Sequence, residues 1–190
     1  MNLTKLFFAA VIVLSANASF AQDSKVANHL VTITIPEIAL LDLEAPSTAI
    51  TLAGTAPTEA GLPMTFGAAA TNSDIYMNYS SIVKGALLRN VTVAITNGTV
   101  PTGLKLTVLA SAAAGGVGTL GAASTELTLT GVAQSIVSGI GSAYTEDGAT
   151  KGRKLTYQLG YAVDAATNYG ALRFVDIAAP LTITYTLSDI

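Results

Sequence analysis

Residues 181–187 read Leu-Thr-Ile-Thr-Tyr-Thr-Leu, with an apolar residue at every second position and threonine between. Successive side chains of a β-strand point to opposite faces, so this order places all the apolar side chains on one face. Threonine, isoleucine and tyrosine also favour strands. The same pattern recurs in Val31–Ile35, Asn90–Thr96, Leu104–Val108, Glu126–Thr130 and Lys154–Tyr161. The sequence therefore predicts an all-β protein.

Less regular apolar runs predict four further strands, at Ile38–Leu43, Ala49–Leu52, Ile75–Val83 and Leu172–Val175. Turn-forming sequences separate the strands, among them Asn97-Gly98 and Glu146-Asp147-Gly148. The glycine-rich stretch from Ser111 to Ser124 is predicted to be a flexible loop or a hairpin tip. Short strands at this spacing are typical of sandwiches and barrels, and we expect an antiparallel β-sandwich.

The N-terminus has the pattern of a secretory signal. Lys5 precedes the apolar run Leu6–Leu14, and small residues follow up to Ala21. The apolar run is well short of the roughly 20 residues that a membrane-spanning helix needs. We therefore predict a signal peptide at residues 1–21, cleavage before Gln22, and a single domain at residues 22–190 that is secreted or placed on the cell surface.

Charge and cysteine content exclude several classes of protein. Cleavage would remove Lys5 and leave eight basic residues against 12 acidic ones, a formal net charge of −4. Nucleic acid is therefore not expected as a partner. There is no cysteine, so the exported chain relies on its core rather than on disulfides. Charged residues make up only 11% of the chain, against about 25% in an average globular protein. We expect such a chain to bury surface against its neighbours.

The residues required by the common catalytic centres are largely missing. His29 is the single histidine and cysteine is absent, which leaves no Cys-His pair and no zinc site of the usual His/Cys type. The acidic residues are scattered among the predicted loops, so a hydrolase that uses two carboxylates is a minor alternative. We predict no catalytic residues, no metal site and no cofactor, and interpret the protein as a non-enzyme.

Tyrosines on a strand could instead bind a ligand. Tyr157 and Tyr161 lie four residues apart on one predicted strand and therefore share a face. A tyrosine ring can stack on a sugar while its hydroxyl group forms a hydrogen bond. These two residues are the candidate ligand face, with a surface glycan as the partner.

The segment that follows the predicted cleavage site contains an alternating strand, Val31–Ile35, then Pro36 and the apolar run Ile38–Leu43. Proline lacks a backbone N–H and interrupts a hydrogen-bonded ladder, which separates the two runs. A terminal strand of this kind either completes the sheet of its own domain or adds to the sheet of a neighbour. The sequence leaves both readings open.

This layout resembles the cysteine-free major subunits of chaperone-usher fimbriae of the colonisation-factor class. The similar elements are Val31–Ile35, Pro36, Ile38–Leu43 and Ile50–Leu52, together with Asn168-Tyr169-Gly170 before the final strand. The resemblance implies an immunoglobulin-like sandwich that lacks one strand and is completed by the N-terminal strand of the next subunit. It also implies that Val31, Ile33 and Ile35 are the donor residues, that a periplasmic chaperone is a partner, and that the product is an adhesive pilus.

Two functional hypotheses follow from the sequence. The first is an exported structural or adhesive subunit that polymerises by β-strand addition. The second is a secreted β-sandwich module that binds a carbohydrate or another ligand through Tyr157 and Tyr161.

Overall fold

The computed structural model describes residues 25–45, 49–174 and 180–190. These residues fall into two units, which divide between Ile35 and Pro36. In the first unit, residues 25–35 form no hydrogen-bonded strand, so the strand predicted at Val31–Ile35 is not formed in this structure. The predicted signal peptide and its cleavage site lie outside the described residues.

The second unit is built from strands, and the all-β prediction is confirmed. The strands are β1 (Ile38–Glu44), β2 (Thr71–Ile82), β3 (Arg89–Asn97), β4 (Leu104–Ala110), β5 (Val117–Ala123), β6 (Leu127–Thr128), β7 (Gln134–Tyr144), β8 (Arg153–Tyr161) and β9 (Thr182–Asp189). The described helical structure is one short α-helix, α1 (Ala165–Asn168), and 3₁₀ turns at Ala68–Ala70 and Tyr169–Ala171. No helix within the described ranges is long and apolar enough to span a membrane.

The strands form one antiparallel sheet whose path runs β6-β4-β8-β2-β7-β3-β9, with β1 added to β2 and β5 added to β7. The 12-residue strand β2 connects two parts of this path, β6-β4-β8 on one side and β7-β3-β9 on the other. Its first half pairs with β8 and its end pairs with β7, while β1 runs along its other side. Among the described strands, the topology therefore leaves β1, β5, β6 and β9 each with a partner on one side only.

Both parts of the sheet contribute to one hydrophobic core. Alternate residues of β3 and β8 are fully buried, among them Val91, Val93 and Leu155. These positions match the period-2 pattern of the sequence, which is the reason that these strands were predictable. Met77 of β2 and Ile140 of β7 complete the centre of the core.

The long strand β7 was missed by the sequence analysis. Serines and glycines interrupt its apolar pattern, and two consecutive residues, Ile136 and Val137, are both fully buried. The pairing of β7 with β3 shifts register in this region, and such an irregularity changes which side chains face the core. Simple alternation could not indicate this strand.

Three other predictions were wrong in detail. The predicted loop Ser111–Ser124 contains β5, whose glycines allow it to approach β7 closely. Residues 49–52 form no strand, although Ile50 and Leu52 do pack against the core. The predicted strand at Leu172–Val175 is a non-strand segment as far as Phe174, and Val175 lies outside the described residues.

Candidate functional site

The free sides of β1 and β9 form the candidate site. β1 pairs only with β2, and β9 pairs only with β3 among the described strands. The two strands lie close to one another, and no ladder joins them. We call the gap between them the seam. Its unpaired N–H and C=O groups are a template for another extended chain.

The seam is lined by apolar side chains that are only partly buried. On β9, Ile183, Tyr185 and Leu187 alternate along the core-facing side, and Leu41 of β1 also packs against the core. The intervening threonines of β9 are exposed. The hydrophobic core is thus incompletely covered along the seam.

A buried arginine closes one end of the seam. The Arg89 guanidinium donates hydrogen bonds to Glu37 Oε1, to the carbonyl oxygen of Ile38 and, at 2.7 Å, to Asp189 Oδ1. It also donates to Ser81 Oγ at 3.2 Å. Arg89 is almost fully buried, whereas its two carboxylate partners are largely exposed. The start of β1 and the end of β9 are therefore tied to β3 by a single side chain.

Sequence reasoning did not find the Arg89 cluster. Glu37, Arg89 and Asp189 are far apart in the chain, and a single arginine beside a strand is ordinarily exposed. The one available signal was the position of Arg89 directly after two leucines, Leu87 and Leu88, and just before the alternating strand that begins at Asn90. The β3–β9 register pairs Arg89 with Asp189, and Glu37 reaches Arg89 separately, from the position directly before β1.

The candidate donor residues lie in the first unit, in residues 25–35, which we call the arm. Val31, Ile33 and Ile35 are between 70% and 83% exposed. Thr32 and Thr34 lie between them and are exposed as well. In an extended chain the three apolar side chains would share one face. The arm thus presents an apolar stripe that is not buried.

The candidate ligand face at Tyr157 and Tyr161 is not formed, because Tyr157 points into the core. Tyr157 is 2% exposed, and its hydroxyl group lies 2.6 Å from that of Tyr185. The Tyr161 hydroxyl donates to the carbonyl oxygen of Met64, and its ring packs edge-on against Phe66. A sugar-stacking surface requires an exposed ring, which Tyr157 does not provide.

The hydroxyl pair of Tyr157 and Tyr185 responds to pH. Burial raises the pKa of Tyr185, and the adjacent Tyr157 raises it further. Burial also raises the pKa of Tyr157, although its hydrogen bond with Tyr185 partly offsets this effect. Above pH about 10, tyrosines of the unfolded chain lose their protons while this pair keeps them in the folded state. The contribution of the pair to stability is therefore complete below that pH and declines above it.

We expect the free energy of unfolding to fall as the pH rises above about 10, and to fall less steeply in a Tyr157→Phe/Tyr185→Phe variant. Urea unfolding at a series of pH values between about 8 and 11 measures both slopes. Equal slopes for the two proteins would contradict the assignment of this pH dependence to the pair.

Comparison with known proteins provides no relative. No protein-family model, no curated protein and no solved structure matches this chain.

Proposed function

We propose that this protein is an exported structural subunit that assembles with copies of itself by β-strand addition, the arm of one copy entering the seam of another. The product is a pilin-like polymer at the cell surface. On this proposal the fold is an immunoglobulin-like sandwich that lacks one strand, and a periplasmic chaperone protects the seam before assembly.

The proposal is supported by a match between two surfaces: the exposed apolar side chains of the arm, and the part of the core that is incompletely covered along the seam. The arm offers Val31, Ile33 and Ile35 at every second position, the spacing of a β-strand. The seam offers free strand edges and the alternating side chains Ile183, Tyr185 and Leu187. Adding the arm as a strand would satisfy edge hydrogen bonds and cover the apolar lining together.

A pair of charge substitutions at neighbouring arm positions tests this proposal. Ile33→Asp places a carboxylate on the apolar stripe, and we expect the full chain to remain monomeric because the charge would be buried without a partner. Thr34→Asp is the matched control, since it adds the same charge on the opposite face and should leave polymers intact. Light scattering and electron microscopy of the two purified variants measure the difference.

Binding in trans provides the second measurement. A synthetic peptide of residues 25–35 should bind the Ile33→Asp chain, whose seam is unoccupied, and the same peptide carrying Ile33→Asp should bind at least about tenfold more weakly. Polymerisation of Ile33→Asp and Thr34→Asp to the same extent would refute strand addition by the arm. So would equal affinities of the two peptides.

A further inference from the structure

The pairing of β1 with β2 determines which side chains of β1 face the core. Leu41 lies opposite Tyr79 in this ladder, and directly opposed residues of two strands share a face. Leu43 likewise lies opposite Met77. Because Tyr79 and Met77 belong to the core, the odd-numbered residues of β1 face the core. The even-numbered residues face away from it, and Leu40 among them is 65% exposed.

A spacer of two residues, Pro36 and Glu37, separates the arm from β1. If an arm folded back along the free edge of its own β1, the spacer would form the loop of a hairpin and place Ile35 opposite Ile38. The apolar stripe of the arm would then lie on the even-numbered face of β1, away from the core. Pro36 opposes even this hairpin, because its φ is fixed near −65° and the favoured two-residue turns need a positive φ at that position.

A shift of one residue would turn the stripe to the core, but the start of β1 opposes it. Placing Ile35 opposite Ala39 would move Ile38 into the loop. Ile38 is paired with Ile82, and its carbonyl oxygen accepts a hydrogen bond from Arg89. The third residue of a three-residue loop usually adopts the left-handed conformation, which is unfavourable for a β-branched side chain. The opposite shift would leave a loop of one residue, which is too short for a hairpin.

The free edge of β9 is also closed to the arm of the same copy. The Arg89 guanidinium binds Asp189 at the end of β9, the carbonyl oxygen of Ile38 at the start of β1, and the spacer residue Glu37. A strand between β1 and β9 needs about 4.8 Å on each side, and at this end one side chain bridges them. Ile35 is two residues from Glu37, which limits their Cα atoms to about 7 Å apart. The arm of the same copy would therefore have to start at the closed end.

The short tether makes such a block necessary. Two groups joined by a short flexible linker meet at an effective concentration in the millimolar range. An arm that could reach its own seam would therefore fill it before the arm of another copy arrived. Val31, Ile33 and Ile35 are nevertheless between 70% and 83% exposed, and residues 25–35 form no hydrogen-bonded strand.

We propose that the spacer Pro36-Glu37 and its contact with Arg89 prevent a copy of this chain from filling its own seam, so that the occupant of each seam is the arm of a second copy. This inference rests on the proposed function and adds what selects the partner. Every copy carries the same arm, so the arm's side chains cannot distinguish one seam from another. The length of the connection makes that distinction.

Lengthening the spacer tests this inference. Inserting Gly-Asn-Gly between Pro36 and Glu37 of the full chain lets the arm pass the closed end and turn its apolar stripe to the core of the same copy. We expect a monomer in place of the polymer. The matched control carries the same three residues between Asn28 and His29, which leaves the spacer unchanged, and it should polymerise like the unaltered protein. Light scattering and electron microscopy measure the difference.

Peptide binding shows whether the monomer is closed by its own arm. A peptide of residues 25–35 should bind the lengthened chain at least about a hundredfold more weakly than the Ile33→Asp chain, because the tethered arm competes for the seam. Adding Ile33→Asp to the lengthened chain should restore binding, which would not occur if the insertion had disrupted the fold.

The outcomes separate this inference from the proposed function. Equal polymerisation of the two insertion variants would overturn the role of the spacer and leave strand addition standing. So would a lengthened monomer that binds the peptide as tightly as the Ile33→Asp chain does, since its seam would be empty. Absence of polymers in the unaltered protein would remove both proposals.

Discussion

Replacing Arg153 with methionine is expected to lower the free energy of unfolding by about 3 kcal/mol. Arg153 is 2% exposed and takes part in none of the three ion pairs found among the described residues. Its Nε donates to the Tyr79 hydroxyl oxygen at 3.0 Å, and its two Nη atoms donate to three backbone carbonyl oxygens, those of Ser111, Leu120 and Gly121. Methionine would remove the donors to these carbonyl oxygens, which lie just after β4 at Ser111 and within β5 at Leu120 and Gly121. Each buried group that is left unpaired costs about 1–3 kcal/mol.

Two further variants distinguish the effect of losing the hydrogen bonds of Arg153 from the effect of losing side-chain volume. Arg153→Lys keeps the charge but cannot reproduce the planar arrangement of donors, so we expect it to destabilise at least as much as methionine does. Lys154→Met changes the exposed neighbour on the same strand and should shift stability by no more than about 0.5 kcal/mol. Urea unfolding followed by circular dichroism measures all three. A loss below about 1 kcal/mol for Arg153→Met would show that the network adds little.

Gly118→Ala is expected to cost about 3 kcal/mol and to release β5 from the sheet. Gly118 has a φ of +93°, and a Cβ atom at this position would lie 2.2 Å from the carbonyl oxygen of Ser142. That oxygen belongs to the paired strand β7, which cannot move without disturbing the core residue Ile140. Both backbone strain and a direct clash therefore oppose the substitution.

Gly160→Ala is the matched control on β8. Its φ lies outside the left-handed region, and no heavy atom lies within 4 Å of the position of an added Cβ. We expect stability to change by no more than about 0.5 kcal/mol. Hydrogen exchange of the β5 amides provides a second readout, because faster exchange should be confined to Val117–Ala123 in Gly118→Ala. Equal destabilisation by the two substitutions would contradict the close approach of β5 to β7.

Several strands could be predicted because each buries one face in a regular way. β3, β8 and β9 have apolar residues at alternate positions, and those residues face the core. β5 and β7 could not be predicted on this basis, because their stability depends on glycines that let two backbones approach and on a shift in register. Such effects depend on the partner strand, and the partner strand is not visible in a local stretch of sequence.

The candidate site was predictable only in part. The alternation of Val31, Ile33 and Ile35 is a local property that the sequence shows directly, and their role as donor residues stays a prediction. The seam was not found, because it exists only where two strands far apart in sequence, β1 and β9, remain without a common partner. Tyr157 was assigned to the wrong surface. The alternating sequence showed which residues share a face with Tyr157, but it did not show that this face is buried in the core.

The order of the strands also determines how fast the chain can fold. Among the described strands, β1 and β2 are the only consecutive pair that form a ladder, and 26 residues separate them. Every other ladder joins strands that are not consecutive in the chain. For example, β3 pairs with β9, the last described strand. Chains dominated by such distant pairings fold in milliseconds to seconds rather than microseconds. During that interval the apolar strands are accessible to other chains, which makes the incompletely folded chain prone to aggregation.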